Sequence, residues 1–155
     1  MINVHATCVL LGDAGGPFGA PTDAGILLTG ESGSGKSDLA LRLIANGAIL
    51  VADDRCDLFV AGDQLRARAP RPLRGQMEIR GIGIMPMQFR EEATIRLVVR
   101  LVLPAATTRF PASGRYRPAA ELDVPERAWP PEIAIAPFEA SAPAKIAAAL
   151  AKSLG

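Results

Sequence analysis

The chain has 155 residues, a length that fits one domain with a sizeable core. Its 17 basic and 16 acidic side chains nearly balance, which argues against non-specific binding to nucleic acid or to a membrane surface. Cys8 and Cys56 match no metal or redox spacing, no apolar run reaches the ~18 residues of a membrane span, and the N-terminus lacks a secretory pattern, so we expect a cytoplasmic protein.

The first third of the chain predicts two strands and a helix. Residues 5–11 are mostly apolar and predict a strand, which leads into a loop rich in Gly, Pro and Asp at residues 12–24. A second short apolar strand is predicted at residues 25–29. A helix closed by an Asn-Gly pair is predicted at residues 38–47.

The loop between that strand and helix reads Gly30-Glu31-Ser32-Gly33-Ser34-Gly35-Lys36-Ser37. It matches G-x-x-x-x-G-K-[ST] in the strand–loop–helix setting that the pattern requires, which disfavours a chance match in a chain with 15 glycines. Its glycines let backbone N–H groups point at phosphate oxygens, and the helix adds the positive end of its dipole. Lys36 can neutralise the β- and γ-phosphates, and the Ser37 hydroxyl can bind Mg²⁺. We therefore predict that these eight residues bind a nucleoside triphosphate.

The middle of the chain predicts further strands with no helix between them. A continuous apolar run at residues 48–52 predicts a buried central strand. Residues 56–60 and 64–68 predict a hairpin, and residues 69–83 predict a loop with short ordered pieces. Because several strands follow one another directly, we expect an α/β fold with a mixed sheet and few helices rather than a doubly wound one.

The last third predicts a long strand, an excursion and a closing strand and helix. Residues 94–103 alternate and predict the long strand. Its expected apolar face carries Ile95, Leu97, Val99, Leu101 and Leu103. Prolines punctuate residues 104–131, which predicts a mobile excursion. A short strand at residues 132–135 and a helix at residues 142–154 complete the chain.

Asp53 and Asp54 follow the predicted central strand. Carboxylates at the carboxyl end of a central strand face the crevice where open α/β sheets bind ligands. One carboxylate can hold Mg²⁺, and the other can accept a proton from an attacking hydroxyl. The alternative interpretation is a simple turn, in which adjacent aspartates are common.

Other candidates are weaker on the residues alone. Glu78 and Arg80 lie close together in a glycine-containing run, but an exposed ion pair would explain them about equally well. His5, the only histidine, could orient a carboxylate, although a structural role is more common for a lone histidine on a strand. Arg109 and Arg115 could reach a transferred phosphoryl group or could simply be solvated.

Three segments, taken in order, closely resemble the catalytic domain of HPr kinase/phosphorylase. They are the loop at residues 30–37, then Leu50-Val51-Ala52-Asp53-Asp54, then Glu78-Ile79-Arg80-Gly81-Ile82-Gly83-Ile84. The segment Phe89-Arg90-Glu91-Glu92-Ala93-Thr94-Ile95 also resembles the V-R-E-D-T-T-I segment of that family. The resemblance covers residues 1–104 well and the remainder loosely.

The resemblance implies a P-loop fold related to phosphoenolpyruvate carboxykinase, with residues 1–155 forming a single catalytic domain. It implies an ATP- and Mg²⁺-dependent kinase that phosphorylates a serine of HPr, the phosphocarrier of the sugar phosphotransferase system, or of its nitrogen-system homologue. Many members also remove that phosphate by phosphorolysis. The family forms hexamers, so a homo-oligomer is expected.

The resemblance also implies roles for metal and phosphate ligands. Lys36 would contact the β- and γ-phosphates. Ser37 and Glu78 would serve Mg²⁺, with Asp53 as a further metal ligand at the end of the strand.

Catalytic roles are carried over in the same way. Asp54 would accept the proton from the substrate serine and return it in the reverse reaction. His5 matches the family's histidine on the preceding strand. The family's later arginine aligns best with Arg109, with Arg115 as a rival.

The sequence departs from the family pattern in ways that bear on activity. We expect a chain without the family's usual N-terminal domain, similar to the short members associated with nitrogen-type systems. The glycine-rich run after the third segment is reduced to residues 85–88, and the later segment tied to phosphorolysis is not evident. We therefore expect stronger kinase than phosphorylase activity. Two alternatives remain: a P-loop kinase with a small-molecule substrate, and a nucleotide-binding switch with little catalysis.

Overall fold

A computed structural model describes residues 1–108 and 114–154 of the chain. Its helices are α1 (Lys36–Ala45) and α2 (Ala142–Leu154). Its strands are β1 (Ile2–Val4), β2 (Thr7–Leu10), β3 (Gly25–Thr29), β4 (Ile49–Ala52), β5 (Cys56–Ala61), β6 (Gln64–Arg68), β7 (Gln76–Ile79), β8 (Gly83–Pro86), β9 (Glu92–Leu101), β10 (Gly114–Arg115) and β11 (Pro131–Ile135). Within these two ranges, neither helix is long and apolar enough to cross a membrane.

The main sheet is mixed, as predicted, and runs in the order β1-β5-β6-β9-β3-β2-β4. Strand β9 pairs in parallel with both β3 and β11, whereas β2 pairs antiparallel with β3 and β4. Strands β3, β4, β9 and β11 therefore point the same way. Because the carboxyl ends of parallel strands meet at one edge of a sheet, the segments that follow β3, β4 and β11 come together there.

Apolar side chains cover both faces of the sheet. On one face, α1 and α2 pack through Leu39, Leu43, Ile146 and Leu150, all fully buried. The other face buries Leu27 of β3 and Val98 of β9 under the segment that carries Leu122 and Val124. Both α-helices of the described chain thus lie on the same side of the sheet, and short irregular segments close the other.

Several predicted elements have the expected bounds within two residues, including α1, α2, β4 and the hairpin of β5 and β6. The strand predicted at residues 5–11 is shorter, since β2 covers Thr7–Leu10 and β1 precedes it. The long strand is Glu92–Leu101 rather than 94–103, and Leu103 lies beyond its end with 79% of its surface exposed. The prediction that Leu103 belongs to the apolar face of this strand is therefore wrong.

Two predicted loops contain regular structure. Residues 69–83 include all of β7, which forms a hairpin with β8. The prediction of a loop with short ordered pieces is confirmed in part, and the ordered piece that it did not specify is this hairpin, where Gly81 and Gly83 have positive φ at the turn. Strand β7 buries Met77, but β8 is exposed along its whole length, including Ile84, so β8 lacks the buried alternation by which strands are recognised.

The excursion predicted at residues 104–131 is ordered over most of its described part. Short 3-10 helices occur at Pro104–Ala106, Ala120–Leu122 and Glu126–Ala128, and β10 pairs with β11. Because Leu122 and Val124 are buried against the sheet, this segment belongs to the core rather than to a mobile excursion.

Candidate functional site

The P-loop motif forms the turn between β3 and α1. Gly30, Gly33 and Gly35 have φ of 153°, 80° and 103°, a region that side chains with a Cβ rarely adopt. A Cβ at Gly30 would lie 2.6 Å from Ser34 Oγ, and one at Gly35 would lie 2.9 Å from the ring of Phe138. The loop therefore needs glycine at these two positions for space as well as for conformation.

Lys36 places its ammonium inside this loop. Nζ donates hydrogen bonds to the carbonyl oxygens of Gly30 at 2.8 Å and Glu31 at 2.9 Å, and only 5% of the residue is exposed. Burial lowers the pKa of the Lys36 ammonium, while the carboxylates of Asp54 and Asp53 act in the opposite direction. A positive centre is thus held beside two acids with little access to water.

Asp53 joins three elements at the end of β4. Its Oδ1 accepts a hydrogen bond from Ser37 Oγ at 2.7 Å and a longer one from Thr7 Oγ1 at 3.4 Å. Its Oδ2 accepts from the backbone N–H of Glu78 at 3.4 Å. The carboxylate therefore connects α1, β2 and β7.

Asp54 contacts the histidine. Its Oδ1 lies 2.5 Å from His5 Nε2, and its backbone N–H donates to Thr7 Oγ1 at 3.2 Å. The residue adopts φ 65°, a left-handed conformation that aspartate tolerates better than most residues. About two thirds of its side chain is exposed, so the carboxylate faces the pocket while its backbone is fixed by the buried Thr7.

These side chains line one pocket of about 520 Å³, shared by the P-loop, the aspartate pair and β7. Glu78 and Arg80 also line the pocket. The structure thus brings together predicted residues from four separate segments of the chain.

The oxygen donors at the pocket fit Mg²⁺ rather than a metal bound by protein alone. Asp53, Ser37 and Glu78 offer two carboxylates and a hydroxyl. Over residues 1–108 and 114–154, no group of three or more His, Cys, Asp or Glu residues is arranged to hold a metal ion. Mg²⁺ usually takes one or two carboxylates together with substrate phosphates and water, so this donor set suits it.

Neither of the two predicted arginines is found among the described residues that line this pocket. Arg115 donates to the carbonyl oxygens of Glu126 and Arg127 and lines a separate cleft beside Asp63, so the structure does not bring it to the P-loop. Arg109 lies outside the described residues, and its role stays a prediction. In the part of the chain that the structure describes, Arg80 is the arginine that lines the P-loop pocket.

Sequence reasoning missed two residues of the site: Thr7, which is buried and supports the aspartates, and Phe138, which lines the pocket. Thr7 is a buried hydroxyl in the apolar strand β2, two positions after His5, and that unusual polarity was the available signal. Phe138 follows the last strand and lines the pocket. Nothing in its local sequence indicates the P-loop, because only the pairing of β11 with β9 brings it there.

A mixed α/β sheet with this strand–loop–helix turn places the chain in the P-loop class. It belongs to the HPr serine kinase family, since residues 20–130 match the family model described as the HPr Serine kinase C-terminal domain.

Curated relatives agree with this family. An HPr kinase/phosphorylase of Leptothrix cholodnii is 45% identical over 86 residues, which are 50% of this chain and 26% of the relative. One of Lactobacillus delbrueckii subsp. bulgaricus is 45% identical over 85 residues, 50% of this chain and 27% of the relative. One of Xylella fastidiosa is 35% identical over 115 residues, 65% of this chain and 36% of the relative. The matched regions thus span about a quarter to a third of these relatives.

A solved structure shares the fold. The HPr(Ser) kinase/phosphatase from Coxiella burnetii superposes with a TM-score of 0.75 at 24% identity, covering 99% of this chain and 96% of that one. The predicted fold class, a mixed-sheet P-loop fold of the HPr kinase type, is therefore confirmed.

Proposed function

We propose that this chain is an ATP-dependent serine kinase that phosphorylates HPr or a related phosphocarrier protein. The observation that supports the proposal most directly is the 2.5 Å contact between His5 and Asp54 beside the P-loop. A protein that only binds nucleotide needs no such base, so this pair favours catalysis over the nucleotide-binding switch. The names of the relatives favour a protein acceptor over a small molecule.

In the proposed reaction, Asp54 accepts the proton of the substrate serine. The serine oxygen forms a bond to the γ-phosphorus of ATP while the bond from that phosphorus to the β–γ bridging oxygen breaks, and ADP leaves. The protonated Asp54 then returns its proton to water. His5 orients the carboxylate and can share its proton, because Nε2 is within hydrogen-bond distance of Oδ1.

The phosphates would lie against the P-loop. Lys36 would neutralise the β- and γ-phosphates, and the N–H groups of residues 30–37 would hold their oxygens. Ser37, Asp53 and Glu78 would hold Mg²⁺, which neutralises charge on the phosphate oxygens when bound. Arg109 as a further contact to the transferred group stays a prediction.

The proposal includes three broader assignments. Residues 1–155 would act as one catalytic domain, since α2 packs on the same core as the P-loop helix. The protein would act in the cytoplasm, where the phosphotransferase system operates. Assembly into a homo-oligomer stays a prediction from the family.

We also propose that phosphorolysis is weak. That reaction needs inorganic phosphate to attack phosphoserine while Asp54 supplies the proton, and in-line placement is sensitive to displacements of about 1 Å. The short run at residues 85–88 replaces the glycine-rich segment of the family. Diphosphate release from phosphorylated HPr in excess phosphate should therefore be much slower than the forward reaction, and a comparable rate would contradict this part.

The main experiment offers the full chain two acceptors, an HPr-like phosphocarrier and the same protein with its target serine replaced by alanine. With ATP and Mg²⁺, mass spectrometry should find one phosphoryl group on the serine of the first protein only. ATP turnover that phosphorylates neither protein would favour a small-molecule acceptor. ATP binding without turnover would favour the switch.

A further inference from the structure

An aromatic ring lines the P-loop pocket and leaves most of its surface exposed. Phe138 follows β11, and 71% of its surface is exposed. Among the described residues that line this pocket, it is the only aromatic one. Burying such a ring against a flat apolar partner is favourable. Because the ring is exposed beside a ligand pocket, a flat part of a bound ligand could cover it.

The ring is fixed relative to the P-loop. A Cβ added at Gly35 would lie 2.9 Å from Phe138 Cζ and 3.1 Å from Cε1, so the ring rests directly on the backbone of that glycine. Arg42 of α1 donates to the carbonyl oxygens of Pro137 and, at 3.3 Å, of Glu139. Its Nε also donates to Asp38 at 3.0 Å. The backbone on both sides of the ring is therefore tied to the helix that the P-loop opens.

The order of strands places this ring opposite the acids. Strand β3, which leads into the P-loop, has β2 and then β4 on one side and β9 with its neighbour β11 on the other. Asp54 follows β4 and Phe138 follows β11, and both strands end at the same edge of the sheet. A triphosphate on the P-loop with its γ-phosphoryl group toward Asp54 would therefore direct its nucleoside toward Phe138.

We infer that the Phe138 ring is the stacking platform for the base of the bound nucleotide. The inference rests on the proposed nucleotide binding and adds the subsite for the base, with a purine as its chemical class. Stacking of a base on an aromatic side chain strengthens binding without requiring hydrogen bonds to the base. Phe138 would thus increase affinity for ATP but contribute nothing to binding of a bare phosphate chain.

The test compares two probes by calorimetry on the full chain at fixed Mg²⁺: ATP and inorganic tripolyphosphate, which lacks a base. Phe138→Ala should weaken ATP binding about tenfold and leave tripolyphosphate affinity unchanged. Phe138→Trp should keep the affinity for ATP. Phe18→Ala is the matched control, because Phe18 is also an exposed aromatic, 45% exposed, and does not line the pocket.

Equal losses for both probes would overturn the inference, because the ring would then shape the P-loop rather than meet the base. Unchanged ATP affinity in Phe138→Ala would overturn it as well. Failure of the proposed function is visible separately, in the unmodified chain: if that chain binds neither probe, nucleotide binding is wrong and the base subsite with it.

Discussion

A positive charge held out of water is the central feature of this site at the scale of single residues. The Lys36 ammonium is almost fully buried, and its two hydrogen bonds go to carbonyl oxygens of its own loop. Because its pKa is lowered, the folded state carries the charged form at a cost at neutral pH, and that cost declines as pH rises above the lowered pKa and is gone above the ordinary lysine value of 10.5. A polyphosphate favours the charged form, so the lysine is poised for an anionic ligand.

Replacing this lysine should separate binding from folding. Lys36→Met removes the charged contact to phosphate, and we expect ATP binding to weaken by about 1.5–3 kcal/mol, measured by calorimetry. The thermal midpoint of the ligand-free protein should not fall, because a buried charge is removed. Lys145→Met, at an exposed lysine paired with Glu139, should change neither quantity. An unchanged ATP affinity in Lys36→Met would contradict the P-loop assignment.

Glu78 should act on the metal rather than on the nucleotide alone. Glu78→Gln keeps the shape of the side chain and removes its charge, so the Mg²⁺ concentration for half-maximal phosphoryl transfer should rise. ATP binding measured without metal should stay as it is. Glu91→Gln, at an exposed acid paired with Arg74, serves as the control. A variant with the Mg²⁺ dependence of the unmodified protein would show that Glu78 is not a metal ligand.

At the scale of elements, the site depends on β2 lying between β3 and β4. This order brings Thr7 of β2 beside the aspartates that follow β4, where its hydroxyl donates to Asp53 and accepts from the N–H of Asp54. The pairing register of β2 and β4 shifts between Cys8 and Val9, next to this point. The Thr7 hydroxyl thus connects both aspartates of the pocket from a buried position on β2.

Removing that hydroxyl should misplace the aspartates. Thr7→Val has nearly the same volume but leaves the partly buried N–H of Asp54 without its acceptor. We expect about 1–2 kcal/mol lower stability in urea unfolding and about tenfold slower phosphoryl transfer. Thr7→Ser keeps the hydroxyl and should retain most of the stability and most of the rate of phosphoryl transfer. If the valine variant transfers phosphate at the normal rate, the hydroxyl does not position Asp54.

The P-loop and the aspartate pair were predictable because each is a local motif at the end of an apolar strand. The contacts of Thr7 and Phe138 were not, since they depend on pairing between strands far apart in the chain, although the polarity of Thr7 in an apolar strand was a signal in itself. The hairpin of β7 and β8 was also missed. Only Met77 of β7 is buried, whereas all of β8 is exposed, so the burial pattern that reveals a pair of strands is incomplete there.

At the scale of the whole molecule, the two faces of the sheet are closed in different ways. Helices cover the face beside the P-loop, whereas the segment with Leu122 and Val124 covers the other. The hydrophobic cluster that contains Leu122 and Val124 also buries both cysteines, Cys8 and Cys56. Burial raises the pKa of the Cys8 thiol well above its usual value and that of Cys56 to about 12. Burial likewise raises the pKa of Tyr116, which packs on the same cluster.

These raised values predict a loss of stability in alkali. An acid with a raised folded-state pKa stabilises the fold fully below its ordinary value, here 9.0 for a thiol, and this stability is lost as pH rises toward the folded value. The urea midpoint should therefore fall between about pH 8 and about pH 10.5. A Cys8→Ala, Cys56→Ala double variant should show a shallower fall, whatever its stability at pH 8. An equally steep fall would assign the effect to other groups.

The central claim, that Asp54 is the base of a serine kinase, is tested most directly by one rate comparison. The rate of phosphoserine formation on an HPr-like acceptor should fall by roughly 10²–10⁴ in Asp54→Asn while ATP affinity stays unchanged. Asp63→Asn is a matched control, because Asp63 has nearly the same backbone conformation, φ 63° against 65°, but lies outside the P-loop pocket. The Asp63→Asn variant should form phosphoserine at the same rate as the unmodified protein. Equal rates in the Asp54→Asn and unmodified proteins, or no phosphoserine from either, would contradict the account.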